Sequence, residues 1–121
     1  MANDDAATAV RAFIEILEAL RSKTEEVIAF KKAKRRSVEK ERAERASLNR
    51  QIGDAREFLI EVEASKVELT APTPEEIADA RALITQIRDL AALDAIGQAG
   101  LDLLRRGLEA GKRLQDGVHK V

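Results

Sequence analysis

The sequence predicts an all-α fold: a long antiparallel, coiled-coil-like helical hairpin packed with one or two C-terminal helices into a three- or four-helix bundle. Three observations carry this. Of 121 residues, 69 are Ala, Leu, Glu, Lys or Arg, the set that builds long helices. Apolar side chains recur at three- and four-residue spacing through most of the chain, the period of one helical face. No Gly or Pro occurs before Gly53, whereas Pro72 and Pro74 sit together at one clear boundary.

The first element opens on Asn3, Asp4 and Asp5, acceptors and negative charges suited to a helix start. Its stripe begins at once with Val10, Phe13, Ile14, Leu17, Leu20, Thr24, Val27 and Ile28. The heptad frame continues through Lys31, Lys34, Val38, Glu41 and Arg45, then turns apolar again at Leu48, Ile52, Ala55, Leu59, Val62 and Leu69. The seam is therefore apolar at both ends and polar in its middle.

Two arrangements satisfy such a seam, and we favour the first. In one, the helix ends near Arg36 and Ser37 caps a second helix carrying Glu39 and Glu41 in its first turn. Arms of about thirty residues then measure some 45 Å each at about 1.5 Å per residue, with the polar tip projecting beyond the rest. In the other, the helix runs to Ile52, Gly53 ends it, and Asp54 with Glu57 caps a shorter helix. One uninterrupted rod is the remaining alternative.

The next helix is signalled by Thr73, Pro74 and Glu76, an N-cap, a first-turn proline and the far half of a capping box. Its stripe is Ile77, Ala80, Leu83, Ile84, Ile87, Leu90 and Ala91, and it is expected to reach about Ile96. Gly97 and Gly100 then make either a turn or a kink, giving four helices or three. Leu103, Leu104, Leu108, Leu114 and Val118 resume the helical spacing. We read one domain over 1–121, with the hairpin at 5–69, its basic tip at 31–50 and a C-terminal helical pair at 74–118.

Only 33 residues are apolar beyond the 21 alanines, so the core is thin and a second copy of the chain is expected to complete it. No stretch approaches the roughly 18 uncharged residues of a membrane span, and no secretory leader is visible, so a cytoplasmic protein is expected. The Ala and Arg usage fits a GC-rich bacterial or phage source.

Charge is unevenly placed. The net value of −1 hides a segment from Lys31 to Arg50 with nine basic and three acidic residues. Lys31, Lys32, Lys34, Arg35, Arg36, Lys40, Arg42 and Arg45 are candidates for binding phosphates or an acidic surface, against the plainer role of a solvated helix tip. No aromatic residue interleaves them, so contact with nucleic acid would be to the backbone. A second candidate is the face formed by Gly100, Gly107 and Gly111 with Leu103, Leu104 and Leu114, where a partner helix could approach closely.

Catalysis has little to work with. The absence of Cys removes thiol chemistry, disulfides and Cys-type zinc sites. His119 is the single histidine, and Ser22, Ser37, Ser47 and Ser65 have no neighbouring base in sequence. Paired carboxylates such as Glu15 with Glu18 or Glu57 with Glu61 lack the Glu-x-x-His partners of dimetal bundles. No catalytic, metal or cofactor site is expected. The sequence reads as a non-enzymatic protein-interaction module: an adaptor, inhibitor or assembly factor. A nucleic-acid backbone binder is the alternative, and a membrane-active protein using Leu90 to Leu104 is the third reading.

Overall fold

Helix α1 (Asp4–Ala33) is central, and every other helix in the computed structural model, which describes residues 3–121, is arranged around it. Its first half owes this to its alanines. Ala6, Ala9 and Ala12 are at most 1% exposed, and small side chains at those positions let neighbouring helices approach from several directions. Val10, Ile16 and Leu17 fill the space between them, each contributing about 1.5–3 kcal/mol through burial. The alanine-rich composition thus reflects one helix with neighbours on several sides.

Helix α2 (Glu39–Ala64) runs antiparallel to α1. Arg11 bonds Glu63 at 3.1 Å, Arg21 bonds Asn49 at 3.1 Å and Lys31 bonds Glu41 at 3.0 Å, so the register is pinned at both ends and the middle. The turn lies where the first arrangement places it, and α2 passes straight through Gly53, which is exposed with nothing near it. The alternative break at Gly53 is therefore wrong. A solvated glycine lowers helix propensity by about 1 kcal/mol without ending a helix whose other face is packed.

Ser37 does not cap α2. The cap position is Val38, which makes no side-chain cap bond and is instead buried, so an apolar anchor sets the entry to the helix. Helix α1 ends by local backbone bonding: Arg36 N–H reaches Lys31 O at 2.8 Å and Arg35 N–H reaches Lys32 O at 3.0 Å. That is a Schellman ending with Arg35 at its left-handed position, φ 56°. Glycine is usual there, and a side chain costs about 1 kcal/mol more.

The second arm stops at Ala64, five residues before Leu69. The chain then becomes extended, and Leu69 pairs with Lys120 in an isolated antiparallel bridge while Thr70 N–H donates to His119 O at 2.7 Å. Asn3 does not cap α1 through its side chain either. Its amide donates to Val67 O and accepts from Leu69 N–H, stitching the start of α1 to this extended segment.

Helix α3 (Pro74–Asp89) starts with the expected capping box between Thr73 and Glu76 and buries Ile77, Ala80, Ile84 and Ile87. It ends at Asp89, well short of Ile96. Lys23 caps that end: its side chain is 2% exposed, and its ammonium, which also pairs with Glu26 at 2.9 Å, donates to the carbonyls of Arg88 and Leu90 at the negative end of α3. A short helix α4 (Ala92–Ala95) follows, and the chain turns at Ile96 and Gly97 into α5 (Gln98–Asp116), with Gly100 inside the new helix. Helix α3 runs parallel to α1 and α5 antiparallel to it. The molecule is an all-α bundle in which α3 and α5 pack on each other and on α1.

Candidate interaction surfaces

The open side of this bundle follows from which helices touch. Among the described residues the backbone of α2 packs on that of α1 alone, and lies farther from α3 and α5. Toward α3 the margin of α1 is polar: Arg11, Glu15, Glu18 and Ser22 recur at helical spacing, with Arg11 tied to Glu63 and Glu18 lying 3.9 Å from Arg56. Toward α5 the margin is apolar and open.

That second margin is a groove of about 310 Å³ floored by Leu20 and Thr24 of α1. Leu48, Ser47, Gln51 and Glu44 form its α2 wall, and Leu101, Leu104, Leu108 and Arg105 its α5 wall. It continues toward the hairpin turn past Val27 and Ile96, and toward the other end past Phe13 and Lys112. The α2 wall carries Glu44 and Asp54, neither held by an ion pair among the described residues, while Arg105 on the facing wall is paired with Asp102 at 3.1 Å. The groove is thus leucine-lined, with Glu44 and Asp54 along its α2 wall and Lys40 and Lys112 toward its two ends.

The glycine face has a different fate from the one expected. Gly107 lies against Ile87 of α3, where an added Cβ would come within 2.6 Å of Cδ1, and Gly111 lies against Phe13 of α1 at 2.5 Å. Gly100 is covered by the backbone of Asp94 and Ala95, and Leu114 is 2% exposed. The close approach is real, and α1, α3 and α4 of this same chain make it. That corrects the reading of these four residues as a surface for an external helix. Leu103 is half-buried against the core, and Leu104 alone of the set lines the open groove.

The basic segment gathers at the hairpin turn. Lys31 is committed to Glu41, and the Lys34 ammonium stands 6.0 Å over the Phe30 ring. Lys32, Arg35, Arg36, Lys40 and Arg42 are exposed and Arg45 is half-buried, and no ion pair holds any of them among the described residues. The tip projects less than its length suggests. Ala95 and Ile96 reach the level of Lys31, so what stands clear is the last turn of α1 and the connection to α2.

His119 is exposed, its ring nitrogen 3.1 Å from Asp116 O. No group of three or more His, Asp or Glu is placed to hold a metal ion among the described residues. Leu90 to Leu104 is divided between the end of α3, α4 and α5, and no helix among the described residues is long and apolar enough to cross a membrane.

The chain matches no protein-family model, no curated protein and no solved structure.

Sequence reasoning missed the groove and Lys23. Leu101, Leu104 and Leu108 have the spacing of a helix face, but nothing in that spacing says the face is left uncovered. Lys23 carries a signal: it stands three residues after Leu20 and four before Val27, a charged residue at a stripe position.

Proposed function

We propose that this chain is a non-enzymatic interaction module that takes an amphipathic helix of a partner protein into the groove between α2 and α5. The observation that carries the reading is the leucine-lined groove between α2 and α5, whose floor of Leu20 and Thr24 is buried and whose accessible apolar side chains are Leu101, Leu104 and Leu108 of α5. Burying those leucines supplies binding energy at roughly 25 cal/mol per Å². The edge bearing Glu44 and Asp54 selects an occupant with cations on the flank that meets α2. A leucine stripe with a basic flank is the chemistry of the partner, in the manner of helix-in-groove recognition.

The test uses a synthetic helix of about 18 residues, some 27 Å long, with a leucine stripe and lysines along one flank. Saturable binding that is weaker for the same helix with a glutamate flank, and lost in Leu104→Lys with the helical circular dichroism unchanged, supports the reading. Binding indifferent to the flank or to Leu104→Lys overturns it. Sedimentation of wild type and Leu104→Lys at high concentration reports whether a second copy of the chain occupies the same groove.

A further inference from the structure

The hairpin tip carries an inference independent of the groove. Arg35 occupies the left-handed position that ends α1, φ 56°, where glycine alone is free of steric cost. The backbone bonds Arg36 N–H to Lys31 O and Arg35 N–H to Lys32 O hold it there. An exposed arginine at a position where glycine would be more stable puts one more cation at the apex of a turn already rich in them.

The structure also separates the cations with a packing role from those without one. Lys31 closes the hairpin against the buried Glu41, and Lys34 stands over Phe30. That leaves Lys32, Arg35, Arg36, Lys40, Arg42 and Arg45 without an ion pair among the described residues, opposed on the tip by Glu39 and Glu44. They project from helix ends and a hydrogen-bonded turn, so little backbone ordering remains to oppose binding.

We propose that this tip is a binding site for the phosphate backbone of nucleic acid. Phosphates suit a surface of several cations, since each contact releases a condensed counterion. A protein partner is less well matched, because protein interfaces centre on buried apolar anchors and the segment 31–45 offers none: Val38 is buried, and none of the exposed large apolar side chains falls within that segment. The segment 31–50 carries no aromatic residue, and Phe30 just before it is half-buried with the Lys34 ammonium 6.0 Å over its ring, so the contact is to the backbone and weakly dependent on sequence.

The experiment follows fluorescence anisotropy of a mixed-sequence DNA duplex of about 20 base pairs from about 20 to 200 mM salt, with polyglutamate as the acidic-polypeptide probe. Wild type is compared with Arg35→Gly and with a triple reversal, Lys32→Glu, Arg36→Glu and Arg42→Glu. Binding at low salt is expected, with log K falling against log salt at a slope of about −4 to −5 for contacts by the five exposed cations, Arg45 being half-buried. Arg35→Gly is expected to melt about 3–5 °C higher and yet bind less tightly, its slope shallower by about one contact. The triple reversal is expected to abolish binding in a chain that still melts cooperatively. Absence of binding at low salt overturns the proposal, as does binding of polyglutamate in preference to the duplex. An Arg35→Gly variant that gains stability with affinity and slope unchanged removes Arg35 from the site.

Discussion

Lys31 and Glu41 face each other across the two arms of the hairpin, the ammonium donating to both carboxylate oxygens at 3.0 Å, with the Glu41 side chain 7% exposed. The pair turns the polar middle of the seam into a closed contact. Its members depend on each other unequally, because a buried carboxylate without its cation pays desolvation with no return.

Lys31→Met is therefore expected to destabilise the chain by about 2–3 kcal/mol, below the 3–5 of a fully dry pair since Lys31 keeps part of its exposure. The double variant Lys31→Met, Glu41→Leu is expected to regain most of that loss. Urea denaturation of the two singles and the double forms the cycle, and a double as unstable as Lys31→Met would show that the contact matters through shape rather than charge.

Lys23 caps the end of α3 from the outside, so removing its ammonium leaves the carbonyls of Arg88 and Leu90 without that donor. Lys23→Met is expected to cost about 1–3 kcal/mol. Hydrogen exchange should localise the effect, with amides at the end of α3 and in α4 exchanging faster while the start of α3, held by Thr73 and Glu76, is unchanged. Uniform acceleration across the chain would contradict a local capping role.

Two glycines of α2 and α5 are expected to respond oppositely to alanine. At Gly53 a Cβ meets nothing within 4 Å, and Gly53→Ala is expected to stabilise by about 0.5–1 kcal/mol through helix propensity. At Gly111 it would sit 2.5 Å from Cδ1 and 3.0 Å from Cε1 of Phe13, a ring 4% exposed. Overpacking of about 1–3 kcal/mol outweighs the propensity gain there, so Gly111→Ala is expected to lower the melting temperature. A rise for both would mean that the Phe13 ring yields easily.

What could be read in the sequence followed the range of the interaction that decides it. The hairpin was legible because its seam is apolar at both ends and polar in its middle, where Lys31 and Glu41 pair across the turn. The start of α3 was legible because Thr73, Pro74 and Glu76 settle it among themselves. Its end was not, since the lysine that caps it lies 65 residues from Arg88 in the chain. Gly107 and Gly111 announced a close approach, but a small residue carries no mark of whether the approaching helix belongs to the same chain. The groove escaped for a related reason: Leu101 and Leu108 look alike in sequence, and only the placement of α2 away from α5 leaves them open.

Leu101 provides the cleanest separation of folding from recognition, being 43% exposed on the groove wall while Leu48 opposite it is 8% exposed and part of the core. Replacing a half-exposed leucine by lysine leaves the packed core untouched, so Leu101→Lys is expected to change stability by less than about 0.5 kcal/mol. Leu48→Ala removes buried methyl groups and is expected to cost about 2–3 kcal/mol. Against the lysine-flanked probe helix the order reverses in meaning: Leu101→Lys, fully folded, is expected to weaken binding at least tenfold, because it sets a cation in the apolar α5 wall where the leucine stripe of the probe is to be buried. Isothermal titration paired with thermal melts reads both quantities on the same samples. Retention of full affinity in Leu101→Lys would remove the α5 wall from the recognition surface.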